Sequence, residues 1–527
     1  MSVGPPVSSV RSRRAVAASA DQLATQAAMT AFALGGNAVD AAVAANAAIA
    51  VTGPHLCGLG GDLFALVRSP DGEIHALNAT GRAGSGADPD AVRAAGHSTM
   101  PMRHDVRSVT VPGCVDGWMA LHHRFGVLAL AEVFGPAIRL AATGFPASPL
   151  LVGSLLLADD AARRNLAELA VQASHPGAPV TRPGVALALQ AIVTGGRRAF
   201  YEGAFGEGLL ELGAGEFTVD DLARVHADWV EPLTTTAFGV QLTTIGPNSQ
   251  GYLALGAARL AAEVGVPEDP DDAQWAHLLV EMATAAGFDR PELLHEGADG
   301  NELVETVAGR AGLVDPTRAS GRTSPAATGD TTYLCTADDT GMAVSLIQSN
   351  ASGFGSGLVE PTTGINLHNR GLGFNLQPGH PAEYGPGRRP PHTLCPAMAT
   401  RDGQLAAVLG AMGGDGQPQI LLQLIARLFV ASVSASPAAA VGAGRWLLRG
   451  PATGFDTWTG DRPPAVVVEG HASAAWRDGL AARGHAVVDG PAFDSGFGHA
   501  HVITVDPSGT FAAAADPRAR VGSAAGQ

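Results

Sequence analysis

Hydrophobic positions along this chain follow two rhythms, one of three to four residues and one of two, and the rhythms alternate from end to end. Residues 21–34 carry Leu23, Ala27, Ala31 and Leu34 at helical spacing, which predicts one buried face, and Gly35-Gly36 ends the run. Asn37 is placed to cap a second helix over residues 38–51, so rich in alanine that it must pack closely on a neighbour. Strand patterns follow at 64–68 and 73–79, joined by Ser69-Pro70-Asp71-Gly72. Residues 106–257 read as mostly helical, with Thr218 or Asp220 as a cap. Strand pairs return at 331–337 and 342–349 around Asp338-Asp339-Thr340-Gly341, then across Arg401-Asp402-Gly403, and at 499–505 and 510–515 around Asp506-Pro507-Ser508-Gly509. A helix over 417–431, with Ile420, Leu421, Leu424 and Leu428 on one face, follows the third of these hairpins. By pattern alone this is an α+β chain.

Composition narrows the picture. At 527 residues the chain has room for two to four domains or one large layered unit. Hydrophobic content of 46% favours a well-buried globular protein, and a net charge of −16 with no large basic cluster argues against a nucleic-acid surface. No apolar run suits a membrane span and no apolar stretch follows the N-terminal charges, so a cytoplasmic protein without a membrane partner is expected. Cys57, Cys114, Cys335 and Cys395 lack C-x-x-C spacing and are expected as reduced thiols. His499 and His501 could share one strand face near a metal, but two ligands fall short of a site; no metal and no cofactor are expected.

The chemistry concentrates at 329–357, Gly-Asp-Thr-Thr-Tyr-Leu-Cys through Gly-Phe-Gly-Ser-Gly. Its lead-in, 305–329, reads as flexible and solvated and ends at Asp330-Thr331, so the strand beginning with threonine is placed to become a new chain start. A threonine hydroxyl is a weak nucleophile, but an N-terminal threonine carries its own base, an α-amine with a pKa of about 7.7–8.0. Further on, a strand empties into Gly410-Ala411-Met412-Gly413-Gly414-Asp415-Gly416 before the helix at 417, a geometry in which the Gly413 and Gly414 N–H groups can face an anion.

At these residues the chain resembles the γ-glutamyltransferase family of N-terminal nucleophile hydrolases. The likeness covers most of residues 15–520 and is strongest at 35–45, 329–357, 385–396, 410–416 and 513–518. It implies a four-layer αββα sandwich and self-cleavage between Asp330 and Thr331. Residues 1–330 would form the large subunit and 331–527 the small one, a heterodimer from one precursor. It implies Thr331 as the nucleophile, an oxyanion held by Gly413 and Gly414, and Ser349 beside the Thr331 hydroxyl or amine. Tyr333 stands where the family usually has histidine.

The family's substrate clamp is largely missing. Its carboxylate-binding arginine falls on Thr80, its serine pair on His392 and Thr393, its acidic residue on Gly373 and a nearby asparagine on Ala351. Arg82 or Arg370 could supply a replacement charge, and each could equally be a solvated surface arginine. Three functions stay open: a γ-glutamyl hydrolase or transferase, a related amidohydrolase or acylase on an oxamate-like or dicarboxylic acyl group, and a non-catalytic, unprocessed scaffold. The partners expected are a small amide substrate and the chain's own two subunits, further dimerisation being open.

Overall fold

A computed structural model describes residues 7–321, 331–430, 435–449 and 465–527. Two antiparallel sheets of seven strands each form its centre. One runs, edge to edge, Val10–Ser12, Phe511–Ala515, Ala500–Val505, Gln404–Ala411, Ala397–Arg401, Val240–Ile245 and Pro232–Ala237. The other runs Ser523–Gly526, Ala15–Ser19, Thr332–Asp338, Ala343–Ser349, Asp62–Arg68, Ile74–Ala79 and Asp228–Val230. Each sheet takes strands from both sides of residue 331.

Strand periodicity sorts the side chains between layers. Tyr333, Cys335, Ala337 and Ile347 point into the apolar layer between the sheets, where they meet Met398, Val408 and Ile503. Leu334, Val344 and Leu346 point the other way, into a core shared with the helices Gln22–Ala33 and Ala38–Thr52. The first sheet is covered on its outer face by Gly251–Val264, Ala273–Gly287 and Gln417–Phe429. The architecture is the expected αββα sandwich.

The helix Ala38–Thr52 is buried along its whole length, which its alanines permit. Asn37 caps it by accepting from the N–H groups of Val39 and Asp40. Asp338 Oδ2 accepts the Ala38 N–H at 2.7 Å and Thr336 Oγ1 donates to the Ala38 carbonyl at 2.7 Å, so the far end of the strand Thr332–Asp338 is bolted to this helix. All four cysteines are buried and free. No helix among the described residues is long and apolar enough to cross a membrane.

Several expectations change. The stretch 106–257 is not helical throughout: Asp228–Val230, Pro232–Ala237 and Val240–Ile245 are strands, rich in threonine and joined at Phe238-Gly239, both with positive φ (52° and 72°), the hairpin turn that matches strand twist. Leu34 is exposed, because the first helix buries Ala24, Ala27, Ala28, Ala31 and Phe32 instead. Part of the supposed flexible lead-in belongs to the helix Gly300–Ala308, which buries Leu303, Val304 and Val307. His499 precedes the strand Ala500–Val505 and bonds Ser495 Oγ through Nε2 at 2.8 Å, while His501 stacks on Tyr333. A small sheet of Trp446–Arg449, Ala465–Glu469 and Val487–Gly490 is an addition that periodicity did not reveal. Asp330, and residue 431 at the end of the expected helix, lie outside the described residues.

The two sheets press together where Gly410 meets Tyr333: a Cβ at 410 would lie 2.3 Å from the tyrosine ring. Gly410→Val is therefore expected to cost about 1–3 kcal/mol by overpacking. Chemical denaturation beside the parent protein checks this, and an unchanged midpoint would show that the sheets can part without penalty.

Candidate active site

Thr331 immediately precedes its strand and is buried, 1% exposed. The ladder pairs Thr332 with Gln348, so the next position sets Thr331 beside Ser349, on the side that faces the opposite sheet. There Thr331 Oγ1 donates to Ser349 Oγ at 3.0 Å. Two more donors converge on that oxygen, the Ala351 N–H at 2.8 Å and Arg370 Nη2 at 3.3 Å. Ala351 holds a left-handed conformation (φ 74°) that aims its N–H back at Ser349. Beneath this corner the glycine loop presses close: a Cβ on Gly61 would lie 2.6 Å from the Ser349 carbonyl, and one on Gly60 would lie 2.3 Å from that of Asn366. These glycines are there for contact.

Arg370 is fully buried at the start of a short turn, Arg370–Gly373, and its Nη1 donates to Thr393 Oγ1 at 3.0 Å. Burial lowers its pKa to about 10, opposed by Asp62 and Asp415, so it remains a cation at neutral pH. It forms part of the wall of a cavity of about 400 Å³, together with Arg290, Gly373, Thr393 and Asp415 and a rim of Met100, Phe374 and Leu376. Arg290 Nη2 lies 3.6 Å from Asp415 Oδ1. The cavity thus places two arginines against one aspartate.

Gly413 and Gly414 adopt φ values of 154° and 54°, open to glycine and strained for other residues. Neither donates its N–H to another described residue. Gln250 Nε2 ties the turn to the site, donating both to the Gly414 carbonyl at 3.0 Å and to the Thr393 carbonyl at 2.9 Å. A continuous chain of contacts therefore runs from Thr331 through Ser349, Arg370, Thr393 and Gln250 to Gly414.

The other substrate positions fall elsewhere. Arg82 lies outside this cavity, bonding Glu296 at 2.8 Å and the Gly387 carbonyl at 3.1 Å. Thr80 is buried and donates to Asn78 Oδ1 at 2.7 Å. His392 Nε2 sits 3.3 Å from Asp62 Oδ2, with His368 on the same carboxylate, and burial beside Arg370 lowers its pKa to about 3, so its imidazole is neutral. Arg290, Asp415 and Gln250 had not been singled out. Asp415 and Gln250 lie inside glycine-rich runs that invite a turn reading, and nothing near Arg290 in the sequence signals a pocket.

The chain as a whole is similar to known proteins. The family described as Gamma-glutamyltranspeptidase matches residues 24–526. An oxamate amidohydrolase proenzyme of Klebsiella pneumoniae is 34% identical, over 98% of this chain and 99% of its own length. A glutathione hydrolase-like proenzyme of Bacillus subtilis is 32% identical, over 94% and 95%. Among solved structures, a cephalosporin acylase from Bacillus halodurans superposes with a TM-score of 0.90 at 31% identity, covering all of this chain and 98% of its own.

Ser349→Ala removes an oxygen on which three buried donors converge and is expected to cost about 1–3 kcal/mol of stability. Ser349→Thr keeps the hydroxyl and most of that stability. Urea denaturation of both variants compares them, and equal losses would show that the hydroxyl is dispensable.

Proposed function

Since the chain belongs to the gamma-glutamyltranspeptidase family, we propose that it is a self-processing amide hydrolase that uses Thr331 as nucleophile. Its acyl group would carry a carboxylate close to the scissile carbonyl. The supporting observation is the contact series Thr331–Ser349–Arg370, which sets a buried cation within about 6.3 Å of the nucleophilic hydroxyl.

Maturation begins with attack of Thr331 Oγ on the Asp330 carbonyl; the peptide nitrogen departs as the new α-amine, and water hydrolyses the resulting ester. Residues 1–330 and 331–527 become the two subunits of one folded unit. In turnover the α-amine takes the Thr331 proton as Oγ attacks the substrate amide. The oxyanion forms against the Gly413 and Gly414 N–H groups, where loss of one donor typically costs about 3 kcal/mol. The amine leaves with the proton, and water releases the acyl group from Thr331.

The position of Arg370 favours short acyl groups. A nucleophile attacks from about 3–3.5 Å, and an arginine–carboxylate bond spans about 2.8 Å. Together these two spans already take up almost all of that separation, so a carboxylate adjoining the scissile carbonyl, reached by a bent path, fits best, whereas the α-carboxylate of a γ-glutamyl group lies further along the chain. The Klebsiella relative is named for oxamate, whose carboxylate adjoins the amide. A second reading, hydrolysis of γ-glutamyl amides, draws on Asp415, which gives the cavity an acid that could receive an α-ammonium.

The intact-mass spectrum of wild-type protein is expected to show two fragments, the second beginning at Thr331, while Thr331→Ala stays a single chain of 53.2 kDa. One uncut mass for both would return the chain to the scaffold reading. On processed enzyme, oxamate and short dicarboxylic monoamides should outpace a γ-glutamyl anilide, and Arg370→Gln should lower kcat/KM on them by about 100-fold or more. A preference for the anilide would select the second reading. Because the base is the neutral α-amine, kcat/KM should rise with pH through about 7.7–8.0 and fall on the acid side.

A further inference from the structure

Away from the cavity, three potential ligands meet inside the outer helical layer. His277 and Glu281 stand four residues apart on the helix Ala273–Gly287, and so share one face. His485 arrives from the turn that ends the helix Ala474–Ala482, where Gly484 takes a φ of 89° and the His485 N–H returns to the Leu480 carbonyl. His277 Nδ1 lies 2.8 Å from His485 Nε2, which lies 3.9 Å from Glu281 Oε1. All three ligand atoms fall within 4.8 Å of one another.

The surroundings orient these groups as the outer shell of a metal site would. His277 Nε2 lies 2.8 Å from the Asp315 carbonyl. A carbonyl only accepts, so Nε2 carries the hydrogen and the lone pair of Nδ1 is aimed into the cluster. Glu281 Oε2 accepts the Ser320 N–H at 3.1 Å, and its Oε1 lies 3.9 Å from His485 Nε2. His277 and Glu281 are buried, and the His485 side chain is only 6% exposed.

We propose that His277, Glu281 and His485 bind one divalent transition-metal ion of the zinc type. Two imidazoles and one carboxylate suit Zn²⁺ better than Mg²⁺ or Ca²⁺, which prefer all-oxygen shells, and water fills the fourth position. Tetrahedral ligands at about 2.0–2.1 Å stand roughly 3.3 Å apart, so the two imidazoles separate slightly and Glu281 moves in as the ion enters. The ion cross-links residues on either side of residue 331. Through Asp315 and Ser320 it also holds the end of the segment that leads toward Thr331. Metal binding does not depend on the proposed nucleophile, so the two ideas fail separately.

The test uses full-length, tag-free protein stripped with EDTA and titrated with ZnCl₂. Expected are one zinc per chain by elemental mass spectrometry, a rise in Tm of about 3 °C or more that EDTA reverses, and a four-coordinate Co²⁺ absorption spectrum when cobalt replaces zinc. Glu281→Gln, which keeps the shape of the side chain, and His485→Ala should each lower zinc affinity by at least 10-fold, while Thr331→Ala binds as wild type does. If His485→Ala fails to fold, Glu281→Gln decides. Substoichiometric zinc in the wild type, or affinity unchanged in Glu281→Gln, overturns the proposal and leaves a hydrogen-bonded histidine pair.

Discussion

The candidate active centre depends on a strand held on every side. Thr332–Asp338 is buried at every position, is hydrogen-bonded along both edges to Ala15–Ser19 and Ala343–Ser349, and is anchored at its far end to the helix Ala38–Thr52. Sliding it by one residue would exchange its two faces, pushing Tyr333 and Cys335 toward the helices and Leu334 between the sheets. Register therefore fixes where the strand begins, and Thr331 inherits a position set by the whole sandwich. Its hydroxyl needs only local partners, and Ser349, the next residue on the neighbouring ladder, supplies one.

Charge is placed with the same economy. A buried guanidinium is costly unless its surroundings compensate, and Arg370 has Thr393 and Ser349 as hydrogen-bond partners and Asp415 on the same cavity wall. Arg290 faces Asp415 as well, and Asp62 adds a second negative charge near Arg370. A different device serves the ending Ala-Asp-Pro-Arg at 515–518: Asp516 and Arg518 form a buried network with Arg445 and Glu469, none of which lines the cavity beside Arg370, so this strong point of family resemblance maintains structure.

Much of this was legible in the sequence because local chemistry declared it. Thr331-Thr332 at a strand start, the Asp338–Gly341 turn and the Gly413-Gly414 corner each specify backbone geometry on their own. What escaped reading depends on distant partners. The threonine-rich hairpin at 232–245 was lost inside a segment dominated by helices, although its alternating burial and positive-φ turn are plain once seen. Arg370 and Arg82 were indistinguishable as residues; long-range packing sends one beside Ser349 and the other to Glu296. His277 and Glu281 show their helical spacing in the sequence, but His485, their partner in space, lies more than two hundred residues away.

The topology also constrains what a cut before Thr331 could do. Each sheet draws strands from both sides of that point: Thr332–Asp338 pairs with Ala15–Ser19 on one edge, and Ala343–Ser349 pairs with Asp62–Arg68 on its far side. In the other sheet Ala397–Arg401 pairs with Val240–Ile245. Separating the pieces would expose these ladders and the apolar layer between the sheets, so they stay together. The peptide bond before Thr331 is not among the forces that hold the sandwich together. A cut there acts locally: it turns an amide nitrogen with no basic lone pair into an amine, at a position the fold has already fixed.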